Sequence, residues 1–238
     1  MSERLQVVIL AGGRATRLGD AARSTPKALL PVAGRPFLAW QLERLERSGY
    51  REVLVLTGHL GDSIASFLGD GSVFGMHARS LSDGKELLGT AGALRNALDE
   101  LDDTFLVTYG DSYLPFDYSG PLTDLRAHPD ALATMSVFPN AGRWDASNTL
   151  VRGERVERYE KGSTDPSLDH IDYGALALRR SVVAEIPAGV PLGLDAVQTD
   201  LARRGVLRAH VAPHRFYEIG SPAGLAELDR LLSGGKLP

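Results

Sequence analysis

The feature that most constrains this chain is an apolar strand that ends directly in a pair of glycines. Residues 7–10 (VVIL) have the length and composition of a buried strand, and Ala11-Gly12-Gly13 follows without a break. Three cations come next, at Arg14, Arg17 and Lys27. Backbone without side chains can wrap a polyphosphate with its N–H groups, while arginine and lysine neutralise phosphate oxygens. The segment therefore predicts either a phosphate-binding loop or a plain strand-to-helix turn.

Length, charge and residue content exclude several classes of protein. The 238 residues suffice for one large α/β domain or two small ones, and the net charge of −4 argues against a nucleic-acid binder. The absence of cysteine removes disulfides, thiolate nucleophiles and cysteine zinc sites, and no histidine lies in an H-x-H or H-E-x-x-H motif. With neither an apolar stretch of membrane-spanning length nor a signal peptide, the chain is expected in the cytoplasm.

Strand and helix patterns alternate through the first half of the chain. Such alternation is typical of a parallel sheet with right-handed crossovers, in which ligands bind at the carboxyl ends of strands. Both Gly12-Gly13 and Asp111 directly follow a strand pattern, so both are expected at that edge. The predicted elements of this half are strands over 7–10, 52–57 and 104–109 and helices over 36–48, 61–68 and 91–101.

The second half carries more strand patterns, separated by loops. No Ser/Pro-rich linker separates the halves, which predicts a single domain over 1–238 with a continuous sheet. The predicted elements of this half are strands over 131–138, 148–151, 155–160 and 171–178 and helices over 195–203 and 220–232.

Several polar residues outside the glycine loop have both a chemical and a plainer structural interpretation. Thr90 is placed to cap the helix that follows it, and Asp111 is placed as a turn former after a strand. Glu160 and Lys161 form a dipeptide typical of a solvated charge pair. Glu218 precedes a helix pattern that begins near residue 221, where a carboxylate is favourable beside the helix N-terminus.

In order, these segments resemble the motifs of the sugar-1-phosphate nucleotidylyltransferase family. The first is similar to the signature L-x-G-G-x-G-T-R-L…P-K-x-L-x-P, with Ala15 in place of its third glycine. Residues 86–94 (ELLGTAGAL) are similar to E-P-L-G-T-A-G-A-L, and the segments at 109–112 (YGDS) and 159–162 (YEKG) are similar to the G-D and E-K-P motifs. Residues 172–174 (DYG) stand where the family has N-x-G, and residues 217–222 (YEIGSP) resemble W-x-D-[IV]-G-T-P with Glu218 for the aspartate.

The resemblance implies a Rossmann-like three-layer α/β nucleotidyltransferase fold with a mostly parallel mixed sheet. It also implies a nucleotide-binding half at 1–130 and a sugar-phosphate-binding half at 131–238. The hexapeptide repeats of the β-helix tail found in many longer relatives are absent from this sequence.

Roles for individual residues follow from the resemblance alone. The catalytic residues it implies are Arg17, Lys27 and Lys161, and Mg²⁺ would be held by Asp111 and Glu218. The nucleotide would contact Leu10, Ala11, Gly12, Gly13, Glu86, Gly89, Thr90 and Gly92. The sugar phosphate would contact Tyr109, Asn148, Glu160, Lys161, Asp172 and Gly174.

The same segments leave the substrates open among three alternatives. Residues 86–94 and the short length look most like mannose and D-glycero-D-manno-heptose 1-phosphate guanylyltransferases, which favours GTP and a manno-configured sugar 1-phosphate. A uridylyl- or cytidylyltransferase acting on another sugar phosphate is the second alternative. The third is a catalytically weak regulatory protein that binds sugar nucleotides, favoured by Ala15 and Glu218. The expected partners are these small molecules, with no nucleic acid and no membrane, and assembly into a homo-oligomer is left open.

Overall fold

The computed structural model describes residues 5–13, 18, 24–84, 86–140 and 142–237. The strands in chain order are β1 (Gln6–Ala11), β2 (Pro31–Val32), β3 (Arg35–Pro36), β4 (Glu52–Thr57), β5 (His77–Ser82), β6 (Thr104–Tyr109), β7 (Ser112–Tyr113), β8 (Ala133–Pro139), β9 (Thr149–Arg152), β10 (Arg155–Tyr159), β11 (His170–Arg179), β12 (Leu207–Val211) and β13 (Tyr217–Glu218). The α-helices are α1 (Phe37–Arg47), α2 (Gly61–Leu68), α3 (Gly89–Asn96), α4 (Ser119–Ala127), α5 (Arg180–Glu185), α6 (Leu194–Arg203) and α7 (Pro222–Ser233). Short 3-10 helices lie at Lys27–Leu29, Ser72–Phe74 and Leu98–Glu100.

The chain forms two compact units, each assembled from segments that are not contiguous in sequence. The first unit comprises Met1–Leu87, Thr108–Pro115 and Phe216–Pro238, and the second comprises Leu88–Val107 and Phe116–Arg215. Strand β6 therefore begins in the second unit and ends in the first. The single-domain organisation, with halves at 1–130 and 131–238, stays a prediction.

The first unit is built on the parallel strands β1, β4 and β5. Strand β4 lies between the other two, and Gln6 of β1 is opposite Glu52 of β4, which is opposite His77 of β5. The apolar run of β1 is fully buried, as expected for a parallel strand covered on both faces. An apolar cluster holds the three chain segments of this unit together, and its buried members are Val32, Phe37, Tyr113, Ile219, Leu228 and Leu232.

The second unit contains a mixed set of strands in the order β6-β11-β8-β12-β10-β9. Strand β8 pairs antiparallel with β11 and parallel with β12, while β10 pairs antiparallel with both β12 and β9. The register of β11 against β8 shifts between Asp172 and Leu176. Such an irregularity re-aims side chains locally, and here the affected stretch contains two of the predicted sugar-phosphate residues, Asp172 and Gly174.

The predicted α/β fold with a mixed sheet is confirmed, and most element bounds agree within two residues. The helix expected over 91–101 is shorter than predicted, because α3 ends at Asn96 and a 3-10 turn over Leu98–Glu100 follows it. Within the described part of the chain, no helix has both the length and the apolar character needed to cross a bilayer.

Candidate active site

The carboxyl ends of β1 and β6 meet through glycine backbone in the first unit. The Gly110 N–H donates to the Leu10 carbonyl oxygen at 2.9 Å, and a Cβ added at Gly110 would lie 3.0 Å from the Ala11 Cβ. A Cβ at Gly12 would lie 3.3 Å from the Gly58 nitrogen, whereas one at Gly13 would meet no atom of the described residues within 4 Å. Gly12 therefore permits close packing of backbone at the end of β1.

Gly58 is a part of this arrangement that the sequence did not reveal. A Cβ there would lie 2.9 Å from the Gly12 carbonyl oxygen and 2.6 Å from a Leu87 methyl carbon. The glycine loop thus depends on a third glycine at the end of β4. A strand pattern followed by Gly-His gave no hint of that contact.

Lys27 and Asp111 form an ion pair beside this loop. The Lys27 Nζ donates to the Asp111 Oδ2 at 2.8 Å, and the two side chains are only 18% and 25% exposed. Lys27 is held by the 3-10 helix Lys27–Leu29, which follows the extended residue Pro26. Two predicted site residues that are 84 positions apart in sequence are thereby brought into direct contact.

Strand β13 places Glu218 next to the Asp111 turn. Glu218 pairs with Ser112 in the β7–β13 ladder, and the Ile219 N–H donates to the Asp111 carbonyl oxygen at 3.0 Å. Glu218 is not the N-cap residue of the following helix, and a favourable interaction of its carboxylate with the N-terminus of that helix stays a prediction. Ser221 is the N-cap of α7, and its hydroxyl accepts a hydrogen bond from the Gly224 N–H at 3.1 Å.

These two carboxylates suit a hard divalent cation. No group of three or more histidine, aspartate or glutamate side chains that could hold a metal occurs within the described ranges. Mg²⁺ commonly uses one or two carboxylates and takes its other ligands from waters and substrate phosphates. The Lys27 ammonium binds Asp111 through Oδ2 at 2.8 Å, while Oδ1 makes a long contact of 3.5 Å with the Ser112 hydroxyl, so Oδ1 is the oxygen of this carboxylate that suits a metal ion.

The predicted nucleotide-binding residues of the first unit differ in how exposed they are, and some lie outside the described residues. Arg17, like Arg14 and Ala15, lies outside the described residues. Leu10 is buried and Ala11 is half-buried at the end of β1, whereas Glu86 is exposed in the first unit.

The glycines of α3 accommodate another part of the chain. A Cβ at Gly89 (φ +71°) would lie 2.6 Å from the Leu192 carbonyl oxygen, and one at Gly92 would lie 3.0 Å from the Val190 carbonyl oxygen. The prediction that Thr90 caps this helix is wrong, because Leu88 is the N-cap residue and makes no side-chain capping bond. The Thr90 hydroxyl instead accepts from the Leu194 N–H at 2.7 Å. A role for these residues toward a nucleotide stays a prediction.

The predicted sugar-phosphate residues of the second unit form one connected cluster. The Asn148 Oδ1 accepts from the Asp172 N–H at 2.9 Å, and the Asn148 carbonyl oxygen accepts from the Glu160 N–H at 2.8 Å. Asp172 in turn accepts from the Gly174 N–H at 2.9 Å. Tyr109, the remaining predicted sugar-phosphate residue, belongs to the first unit, where its carbonyl oxygen accepts from the buried Gln41 side chain at 2.7 Å.

Glu160 and Lys161 do not pair with each other as a simple solvated dipeptide would. The Glu160 carboxylate accepts from Arg158 at 2.7 Å, and the Lys161 Nζ lies 3.7 Å from Asp195 Oδ1. Arg158 also binds Asp165 at 2.8 Å and so ties the loop after β10 back to that strand. The Lys161 side chain remains 67% exposed and is accessible to an anion.

The Asp172 carboxylate is the most perturbed acid of this cluster. Burial raises its pKa above the usual value, although hydrogen bonds and charge act in the opposite direction, from Gly174, Gln198, Tyr159 and Lys161. Gln198 was not anticipated from the sequence. It lies on α6, is 1% exposed, and donates through Nε2 to Asp172 Oδ2 at 2.9 Å.

Comparison with known proteins identifies relatives of this chain. A family model described as the MobA-like NTP transferase domain matches residues 7–187. The chain is 29% identical over 209 residues to mannose-1-phosphate guanylyltransferase of Mycobacterium tuberculosis, covering 82% of this chain and 54% of that protein. It is 34% identical over 130 residues to N-acetylmuramate alpha-1-phosphate uridylyltransferase of Neisseria meningitidis serogroup B, covering 54% of this chain and 56% of that protein. The matched regions thus span about half the length of these curated relatives.

Solved structures show the same architecture. The crystal structure of HddC from Yersinia pseudotuberculosis complexed with GMP-PN has a TM-score of 0.80 at 24% identity, covering 96% of this chain and 99% of that chain. This likeness confirms the Rossmann-like α/β fold expected from the motifs, and at this identity it concerns the fold alone.

Proposed function

We propose, on the premise that this chain belongs to the family of MobA-like NTP transferase domains, that it transfers the nucleotidyl group of an NTP to a sugar 1-phosphate. The observation that carries the proposal is the Lys27–Asp111 ion pair at 2.8 Å, next to the Gly12-Gly13 loop where β1 and β6 end. Cation, carboxylate and side-chain-free backbone at one edge are the groups that triphosphate binding requires.

The reaction needs no nucleophile from the protein. A phosphate oxygen of the sugar 1-phosphate would form a bond to the α-phosphorus of the NTP, while the bond from that phosphorus to the bridging oxygen breaks. Pyrophosphate would leave with the electron pair of that bond. Catalysis of such transfers rests on alignment and on stabilisation of charge. Lys27, with Arg17, would neutralise the triphosphate, and the exposed Lys161 would hold the acceptor phosphate.

Asp111 and Glu218 would hold a divalent cation such as Mg²⁺. When bound, the ion would neutralise charge on the phosphate oxygens. Gly12 and Gly13 would place backbone N–H groups against the same phosphates.

For the substrates, we favour GTP and a manno-configured hexose or heptose 1-phosphate. The guanylyltransferase among the relatives supports this choice, whereas the uridylyltransferase supports the alternative of another base and sugar. The acceptor would lie against the cluster of Asn148, Glu160 and Asp172. The cytoplasmic location and any homo-oligomer stay predictions.

The direct test is pyrophosphate release from a panel of NTPs and sugar 1-phosphates in the presence of Mg²⁺. The expected result is release that requires both substrates and is fastest with GTP and a manno-configured acceptor. Faster release with UTP, CTP or dTTP would contradict the proposed preference for GTP but would still support nucleotidyl transfer. Tight binding of sugar nucleotides without release in any combination would overturn the proposal in favour of a regulatory binding protein.

A further inference from the structure

A buried amide lies against the acceptor cluster of the second unit, in a position that the sequence motifs do not cover. Gln198 is 1% exposed on the inner face of α6, and its Nε2 is 2.9 Å from Asp172 Oδ2 and 3.1 Å from the Met135 sulfur. Its Oε1 is buried and accepts no hydrogen bond from the described residues. Burying a primary amide with one unsatisfied oxygen is costly, so the contact with Asp172 must offset part of that cost.

The Asp172 carboxylate is held on both oxygens. Oδ1 accepts from the Gly174 N–H at 2.9 Å, and Oδ2 accepts from Gln198 at 2.9 Å and lies 3.4 Å from the Tyr159 hydroxyl. The backbone of Asp172 is fixed separately, since its N–H donates to Asn148 Oδ1 at 2.9 Å. Gln198 is the one side chain of α6 that bonds this carboxylate among the described residues.

Charge determines the orientation of the Gln198 amide. An ionised carboxylate only accepts hydrogen bonds, so the NH₂ end of Gln198 must face it and the carbonyl end must face away. Conversely, the amide donor stabilises the ionised carboxylate against the burial that raises the pKa of Asp172. The pair therefore opposes the effect of burial on the pKa of Asp172 and holds the side chain of this half-buried residue in one rotamer.

We infer that Gln198 is a positioning residue for the acceptor: through its amide it fixes the Asp172 carboxylate as a hydrogen-bond acceptor for a donor group on the sugar ring. The inference rests on the proposed function. It also names the ligand chemistry, because a fixed carboxylate accepts from ring hydroxyls or from an ammonium group and discriminates against sugars that lack a donor there. Preorganisation of this kind acts on acceptor binding and not on the NTP.

The first variant for the test is Gln198→Met, which keeps the length of the side chain and removes the donor. Binding is measured by calorimetry with mannose 1-phosphate, or with the hexose 1-phosphate that the panel selects, and separately with the NTP. The acceptor Kd is expected to rise by about 10-fold to 100-fold, since a hydrogen bond to a charged group is lost. The NTP Kd is expected to change by less than about 2-fold, as is kcat at saturating acceptor.

A second variant separates positioning from a general defect of α6. In Gln198→Glu the new carboxyl faces Asp172 and repels it while both are ionised, but donates a hydrogen bond once it is protonated. The other titratable groups at this place are Tyr159, Lys161 and the Asp195 that pairs with Lys161. Acceptor affinity of Gln198→Glu should therefore recover toward the wild-type value as the pH falls from 8 to 6, whereas that of Gln198→Met should not. Thr199→Val, which removes a hydroxyl bonded to the Tyr159 and Asp195 carbonyls, is the matched control on the same helix.

The binding results distinguish failure of the inference about Gln198 from failure of the proposed function. Equal losses for acceptor and NTP, or no loss in Gln198→Met, would overturn the inference while leaving the proposed function standing. Failure of the wild type to bind or to turn over any sugar 1-phosphate would overturn the proposed function and the inference with it. If Gln198→Met does not fold, an acceptor Kd of Gln198→Glu that is independent of pH overturns the inference by itself.

Discussion

Replacing Lys27 by Met tests the pair on which the proposed site depends. The Lys27 Nζ and Asp111 Oδ2 are 2.8 Å apart, and their side chains are 18% and 25% exposed. At an effective dielectric constant of about 20 the attraction between two unit charges at this distance is about 6 kcal/mol, most of which is offset by the cost of removing both groups from water. Removing one partner leaves the other with little solvent, so we expect a loss of about 1–3 kcal/mol in the free energy of unfolding.

The same substitution should affect turnover far more than stability. Loss of one charged donor to the reacting phosphates typically lowers kcat about 100-fold to 1,000-fold. Unfolding in urea and pyrophosphate release, measured on the same preparations, give both quantities. The matched control is Arg203→Met, which removes an exposed ion pair with Asp200 at 2.7 Å and should change stability by less than about 1 kcal/mol, with normal turnover.

A double-mutant cycle with Asp111→Asn separates the contact from other effects. If the two residues interact as the structure indicates, the combined loss in stability should be smaller than the sum of the single losses by about 1 kcal/mol. Strict additivity, together with near-normal turnover of Lys27→Met, would refute the reasoning.

Three further changes test other parts of the molecule. Glu218→Gln should lower turnover strongly and shift the Mg²⁺ requirement to higher concentration in a metal titration; an unchanged requirement would remove Glu218 from the metal. Glu160→Gln should weaken sugar 1-phosphate binding far more than NTP binding in separate calorimetric titrations, and equal losses would contradict its assignment to the acceptor. Asp124→Ala should cost about 3–5 kcal/mol in urea unfolding because it leaves the Arg208 side chain, 7% exposed, with only the exposed Glu154 as a charged partner among the described residues. Glu154→Ala, which removes a partner that is 77% exposed, should cost less than about 1 kcal/mol; similar losses for the two would show that burial does not set the energy.

The elements predicted best from the sequence are those whose pattern has a single physical cause. Strands β4 and β6 are continuous apolar runs bounded by polar residues, and helix α2 has one apolar face, so their bounds agree with the structure residue for residue. The missed elements carry conflicting signals. Strand β5 is mostly exposed and polar, and α4 has Gly120 and Pro121 in its first turn, a combination typical of a loop.

Strand β12 shows why a local sequence pattern cannot predict a strand that contains a buried charged residue. It contains Arg208, which is unfavourable in a core unless it is paired. Its partner is Asp124 on α4, which accepts two hydrogen bonds from the guanidinium at 2.8 and 3.0 Å from 84 positions away. The sequence holds both residues but carries no sign that they meet.

The residues of the candidate site also fall into those that the sequence could predict and those that it could not. Asp111 and Lys27 could be predicted because each lies in a motif of glycine, proline and charge with few other uses. Gln198 could not be predicted, because nothing in the local sequence distinguishes it from the other inward-facing positions of an amphipathic helix. Its proposed role depends on its contact with Asp172, which only the folded structure shows. Local sequence predicts Thr90 as a cap, yet its hydroxyl accepts from the Leu194 N–H, a partner that only the tertiary fold supplies.

Phosphorus NMR of the reaction mixture tests the central claim most directly. With an NTP, Mg²⁺ and a sugar 1-phosphate, the account predicts that the triphosphate and sugar phosphate resonances decline in equal amounts. The paired doublets of a nucleoside diphosphate sugar and the single resonance of pyrophosphate should grow in the same proportion, and addition of pyrophosphate should reverse the change. Formation of orthophosphate, or loss of triphosphate that does not depend on the sugar phosphate, would contradict nucleotidyl transfer by this chain.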